Sequence, residues 1–296
     1  MGGINKVMRM SYCYLFADRI IGKYHHIKAR DHRVNLYDYH PEVHDWEHFN
    51  DSRYNLGDYL GFVVASYMLN KKGLSLETWV KKRKHLYCVG SNVFTGFQHA
   101  TVWGSGLIRN PNTKEWPFLY RYPLSRYDFR AVRGPLTREW VLKYGHKCPE
   151  VYGDPAILMP FVYQPKTEIK RDLLVIPQYV SEVEFRKNHD KFDIVSMNTN
   201  DYKPVIDAIA SSKLVVTNSL HAIILADAYG IPSVLFKLSS LKDGFKYYDY
   251  YYSTGRRDMI LAETFEEAMA QHPLPLPDLS GLQTGLINSF PYDLWE

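Results

Sequence analysis

Apolar positions along the chain fall into short runs that alternate with helical stretches, and most runs empty into a glycine or a small polar turn. The cleanest unit spans 213–236. Lys213-Leu214-Val215-Val216 has the continuous apolar character of a buried parallel strand. Ala222 to Tyr229 predicts a buried helix closed by Gly230 and followed by Pro232, and Ser233-Val234-Leu235-Phe236 predicts the next strand. Between them, Thr217-Asn218-Ser219-Leu220-His221 makes the polar turn and the first helical turn, with Asn218 or Ser219 as the cap. His221 then stands at the positive end of a helix dipole, where backbone N–H groups lack intrahelical partners. A titratable ring at such an anion site, outside the carboxyl end of a strand, is where an open α/β enzyme does chemistry.

The same alternation recurs upstream. Asn55-Leu56-Gly57-Asp58 opens a helix that runs through Leu69. Short strands are predicted at Leu86-Tyr87-Cys88-Val89 and Thr101-Val102-Trp103, each running into glycine, and another at Phe129-Arg130-Ala131-Val132. A helix from Pro135 to Tyr144 follows, with proline in its first turn and Gly145 at its end. Gly153-Asp154-Pro155 breaks the pattern and Pro160 to Arg171 reads as a linker. A second series begins at Leu173-Leu174-Val175-Ile176, continues through a strand at Phe192–Val195 and a helix near Pro204 to Ser211, and ends in the 213–236 unit. The expectation is an α/β protein of two Rossmann-like domains facing a cleft, 1–160 and 165–265, with a tail at 266–296 that packs back.

Composition narrows the function classes. A net charge of +4 and a pI near 8.7 suit anionic small molecules or an anionic membrane surface, and fall short of a nucleic-acid footprint. Lys81-Lys82-Arg83-Lys84 reads as a solvated helix end. Cys13, Cys88 and Cys148 have no metal-ligand or redox spacing, which predicts a reduced, cytoplasmic setting. The first residues lead into no signal core, and Leu60 to Leu69 is too short for a span, which takes about twenty residues. The chain is therefore expected to touch a membrane at most. His40, His44 and His48 fall at helical spacing, but Pro41 and the polar surroundings favour a solvated segment over a metal site.

Seven motifs occur in order: Asn55-x-Gly57-Asp58, Trp103-Gly104-Ser105-Gly106, Val132-Arg133-Gly134-Pro135-Leu136-Thr137, Gly153-Asp154-Pro155, Ser219-Leu220-His221-Ala222, Tyr229-Gly230-Ile231-Pro232, and Phe245-Lys246-Tyr247-Tyr248-Asp249-Tyr250. Together they resemble the polysaccharide pyruvyl transferase family over roughly residues 50 to 260. The resemblance implies a fold similar to the B-type glycosyltransferases. It implies transfer of pyruvate from phosphoenolpyruvate onto two hydroxyls of a sugar or lipid-linked oligosaccharide, forming a cyclic ketal and releasing phosphate. It implies no metal or organic cofactor; peripheral contact with the inner membrane surface is an expectation from the mild positive charge alone. Members often carry Arg where this chain has Ser219, so the anionic donor leans on Arg133.

Within that frame each residue has a role and a competing structural reading. His221 is the proton shuttle, or a satisfied helix-cap histidine. Arg133 offers a planar fork to carboxylate or phosphate, or forms an ordinary ion pair. Asp58 accepts the acceptor's hydroxyl proton beside Asn55, or is a plain N-terminal cap. Gly104 and Ser105 let backbone approach the donor, or make a tight turn. Asn218, Ser219 and Leu220 present the helix start to the donor. Lys246 is a second cation or a surface lysine, and Tyr247 stacks on the acceptor sugar or packs in the core. Two other functions stay open: a nucleotide-sugar glycosyltransferase, and a catalytically silent glycan-binding or assembly protein.

Overall fold

Parallel pairing dominates the molecule because each strand is followed by a helix or loop that returns the chain to the same end of the sheet. The computed structural model describes residues 32–36, 55–93, 99–111, 126–166, 168–237 and 244–296. Strands β1 (Val34–Leu36), β2 (Lys84–Tyr87), β3 (His99–Trp103) and β4 (Arg126–Ala131) pair in that order in a parallel sheet. Strands β5 (Leu174–Ile176), β6 (Val215–Thr217) and β7 (Ser233–Leu235) form a second parallel sheet, in register from Leu174↔Val215 to Thr217↔Leu235. All three strands of this sheet are buried along their length, which accounts for their unbroken apolar runs.

Helix α1 (Leu56–Asn70) connects β1 to β2, and α2 (Pro135–Lys143) follows β4. A 3-10 turn at Pro155–Leu158 leads into the short α3 (Met159–Val162) and on to the second sheet. There α4 (Glu182–Asn188), α5 (Tyr202–Ala210) and α6 (Leu220–Ala228) follow, and α6 joins β6 to β7. Helix α7 (Phe245–Ser253) leaves β7 and packs on α2 of the first sheet's layer. The chain closes with α8 (Phe265–Ala270), α9 (Ser280–Ser289) and a 3-10 turn at Tyr292–Trp295.

One apolar core joins the two sheets' layers. It contains Leu60, Val64 and Met68 of α1, Ile157 and Leu158 of the 3-10 turn, and Ile223 and Ile224 of α6. Two smaller clusters cover the outer sides, one under α2 and one around Phe185, Phe236 and Phe265. The C-terminal stretch lies against the first sheet. Trp103 Nε1 donates to the Leu286 carbonyl at 3.0 Å, Tyr292 donates to the Met68 carbonyl at 2.9 Å, and Phe290 meets the Trp103 ring edge-on.

Three expectations need correction. The strand at Phe192–Val195 is reduced to one bridge, Val175↔Ile194: the Asp193 carbonyl accepts from the Val175 N–H at 2.9 Å and the Val195 N–H donates to the Val175 carbonyl at 3.1 Å, and the pairing extends no further. The linker at Pro160 to Arg171 begins inside α3. Lys81-Lys82-Arg83 lie in the loop between α1 and β2, and Lys84 begins β2, so none stands at a helix end. Cys13, His40, His44 and His48 lie outside the described residues. Among the described residues no helix is long and apolar enough to cross a membrane.

Candidate functional site

The starts of α1 and α6, one from each sheet's layer, meet face to face. At α1, Asn55 takes the cap position: its Oδ1 accepts from the Gly57 N–H at 3.2 Å and its Nδ2 donates to Asp58 Oδ2 at 2.9 Å. The other oxygen of Asp58 accepts from Asn92 Nδ2 at 3.2 Å, so the buried carboxylate is steered by two amides. Gly90, at φ +105°, leaves the room this needs; a Cβ there would come within 2.5 Å of Asp58 Oδ1. Ser105 is fully buried, accepts from the Asn92 N–H at 3.2 Å and donates to the Gly90 carbonyl at 3.0 Å, fixing the loop behind Asp58.

At α6, Ser219 occupies the cap position with extended backbone, but its side chain makes no capping bond. The hydroxyl of Thr217 accepts from the Ser219 N–H at 2.8 Å and donates to the Ile176 carbonyl. Asn218 turns toward β5's loop, accepting from the Gln178 N–H at 2.6 Å and donating to Ser181 Oγ at 3.2 Å. The Leu220 side chain is in the core, which leaves its backbone as the part that faces the helix start. His221 lies across Gly57: a Cβ on that glycine would sit 1.9 Å from His221 Nδ1. Its Nε2 is buried without a hydrogen-bond partner among the described residues. Burial, then the charges of Lys246 and Arg133, push its pKa down to about 3, so the ring is neutral at pH 7.

Helix α7 brings Lys246, Tyr247 and Asp249 to the same region. Lys246 is buried, and among the described residues its ammonium has one weak hydrogen-bond contact, to Gln178 Oε1 at 3.5 Å, with the Tyr247 ring centroid 4.8 Å away. Burial and then the charge of Arg133 lower its pKa to about 7, against an opposing pull from Asp58. Tyr247 is fully buried and donates to the Asn218 carbonyl at 2.9 Å, tying α7 to the α6 turn. Its ring has no exposed face for a sugar to stack on.

Arg133 is fully enclosed. Its Nε donates to Asp249 Oδ2 at 3.1 Å, Nη1 to Ser91 Oγ at 2.5 Å and Nη2 to the Leu107 carbonyl at 2.5 Å. The guanidinium lies over Gly106, where a Cβ would come within 2.5 Å of Cζ. Asp249 also accepts from the Thr137 N–H at 2.8 Å and from the Thr137 hydroxyl at 2.7 Å. It thereby caps α2 from another helix, at a start where Gly134 supplies no side chain. A Cβ on Gly134 would meet the Asp249 carbonyl at 1.9 Å, so the glycine permits the approach.

Gly104, at φ +84°, faces the protein: a Cβ there would strike Pro155 Cδ at 2.3 Å. Asp154 accepts from the N–H groups of Ala156 at 3.1 Å and Gly90 at 3.3 Å, while burial raises its pKa to about 6. The structure thus brings Asp58, His221 and Lys246 together, sets Arg133 beside them in a closed ion pair, and places Gly104, Ser105, Asn218 and Tyr247 as supports. Asn92, Gln178 and Asp249 are site residues that sequence reasoning missed. An uncapped Gly134-Pro135 helix start was the signal for Asp249; Asn92 and Gln178 carried none. An open groove of about 660 Å³, lined by Tyr127, Phe129, His146 and Cys148 among others, includes none of these residues.

A neutral imidazole, an amine balanced near neutrality, a carboxylate and a helix start are groups with the chemistry to hold an anion and to pass a proton. The chain is 25% identical over 209 residues to an uncharacterized protein of Acanthamoeba polyphaga mimivirus, covering 66% of this chain and 69% of that protein. A crystal structure of a functionally uncharacterized protein from Klebsiella pneumoniae superposes with a TM-score of 0.49 at 14% identity, covering 85% of this chain and 98% of the other. The sequence model of the polysaccharide pyruvyl transferases matches residues 24–240, and the chain belongs to that family.

Proposed function

We propose that the protein transfers pyruvate from phosphoenolpyruvate to two hydroxyls of a sugar on a cell-surface polysaccharide or its lipid-linked precursor. The observation that carries this reading is the unpartnered His221 Nε2, buried at the α6 start beside a weakly held Lys246. The donor is a compact polyanion. Its phosphate and carboxylate suit the α6 N–H groups and a protonated Lys246, and the incoming negative charge raises the proton affinity of both Lys246 and His221.

Protonation of the donor's C3 by His221 makes C2 electrophilic. One sugar hydroxyl adds there and yields its proton to Asp58. The C2–O bond to phosphate then breaks, and the second hydroxyl closes the ketal. The two hydroxyl protons balance the reaction: one ends on the new methyl group and one on the released phosphate. In this reading residues 1–160 hold the acceptor, 165–265 carry the donor helix, and 266–296 is a brace on the first half. The reaction takes place at the cytoplasmic face of a membrane and needs no metal or organic cofactor.

Incubating the protein with phosphoenolpyruvate and candidate lipid-linked glycans tests it by mass spectrometry. A gain equal to pyruvate minus water, with inorganic phosphate released, is the expected result. Release of nucleoside diphosphate from a sugar nucleotide would instead identify a glycosyltransferase. The closed Arg133–Asp249 pair and the absence of Arg at 219 favour a silent glycan-binding protein as the second reading. Under that reading phosphoenolpyruvate leaves the melting transition where it was.

A further inference from the structure

The loop from Lys71 to Arg83, between α1 and β2, contains five cationic side chains, Lys71, Lys72, Lys81, Lys82 and Arg83, and one carboxylate, Glu77. It carries as much net positive charge as the entire chain, +4, so the other residues together are neutral. All five cations are exposed. Glu77 is engaged by Arg33 at 3.7 Å, and Lys71, Lys72, Lys81 and Lys82 have no carboxylate partner among the described residues. The two ends of the loop share one neighbourhood. The Lys72 ammonium lies 4.2 Å from the centre of the Tyr292 ring, and Lys84 donates to the Asp293 carbonyl at 2.9 Å.

Trp79 stands in the middle of this charge. Its side chain is 62% exposed, and one face stacks on the exposed His32, with ring centroids 5.0 Å apart and planes 15° apart. Leu74, Leu76 and Val80 of the same loop pack inward on the core, so Trp79 is outside while its apolar neighbours are not. An exposed indole two and three residues before the exposed Lys81 and Lys82 matches the interfacial layer of an anionic bilayer: the ring enters the headgroup region and the ammonium groups meet lipid phosphates. The open groove lined by Tyr127, Phe129, His146 and Cys148 includes none of these residues. With one indole face already covered by His32, stacking between bases is also poorly served.

We propose that the Lys71–Arg83 loop is a peripheral docking surface for anionic phospholipid, with Trp79 as its interfacial anchor. The loop leaves α1 at the end opposite Asp58, and the twelve residue steps from Asp58 to Asn70 separate the two by about 18 Å. Docking therefore leaves the meeting point of α1 and α6 uncovered. The attraction is electrostatic at long range and is screened by salt within a Debye length.

Vesicle flotation of the full chain tests this without donor or acceptor, so its outcome is separate from that of the pyruvyl transfer assay. The protein should float with vesicles of about one-third phosphatidylglycerol in phosphatidylcholine, and at least about tenfold less with phosphatidylcholine alone or at high salt. Lys81→Glu with Lys82→Glu should lower binding at least about tenfold, and Trp79→Ala about threefold with the salt dependence intact. Lys71→Gln with Lys72→Gln, at the other end of the loop, gives a second reduction should the first pair fail to fold. Wild type that stays in the soluble fraction, or variants that float like wild type, would overturn the proposal. Capture by duplex DNA at lower concentration than by anionic vesicles would also overturn it, in favour of a nucleic-acid surface.

Discussion

Two buried cations lie at the site and are held in opposite ways. Arg133 has its guanidinium tied to Asp249, Ser91 and Leu107 and carries a counter-charge within 3.1 Å. Lys246 has, among the described residues, one 3.5 Å hydrogen-bond contact to an amide oxygen, and burial leaves its proton near balance at about pH 7. A positive charge already neutralised inside the protein is a strut. A positive charge that is expensive to hold until an anion arrives is a ligand sensor. The contrast reassigns the work suggested by residue type alone, since arginine is the more usual anion fork.

The largest way to break the contrast is to remove the strut's counter-charge. Asp249→Ala leaves a buried guanidinium unpaired and an α2 start uncapped, and should cost about 3–5 kcal/mol in denaturant unfolding. Adding Arg133→Met should recover part of that loss. If Asp249→Ala unfolds like wild type, Arg133 is not a strut. Next in size, His221→Ala should lower kcat/KM for phosphate release about a hundredfold or more with little change in stability. Unchanged turnover would make His221 a helix-cap residue. Gly57→Ala should cost about tenfold in the same assay, because its methyl group must displace the His221 ring, whose Nδ1 lies 1.9 Å from the new carbon. Equal activity would show that the ring position is irrelevant.

The pH dependence sharpens the same comparison. Lys246 has a folded pKa near 7 against an ordinary 10.5, so the unfolded chain takes up the proton first. The stability this group leaves in place at high pH therefore declines as pH falls from about 10.5 to 7. His221 behaves likewise between 6.5 and about 3. The decline through the upper window should disappear in Lys246→Met, as read from urea midpoints across pH. A decline that survives the substitution would place the proton elsewhere.

The β6–α6–β7 unit was legible because its apolar runs, small polar turn and Gly-Ile-Pro exit are local signals with a direct physical meaning. The Asn55 cap was legible for the same reason. What escaped was non-local. Asp249 meets Arg133 and Thr137 across more than a hundred residues, because α7 crosses from the second sheet back to the first. Gln178 and Asn92 are ordinary loop amides until the fold sets them beside Lys246 and Asp58. The enclosure of Tyr247 was equally hidden, since an aromatic run reads the same whether it faces sugar or core.

The central claim is that Lys246 is the cation the donor recruits. Calorimetric titration of phosphoenolpyruvate at about pH 8, in two buffers of different ionisation heat, tests it most directly. Wild type should bind with uptake of up to one proton per site. Lys246→Met should lose that uptake and bind at least about tenfold more weakly. Binding by Lys246→Met with wild-type affinity and wild-type proton uptake would contradict the claim.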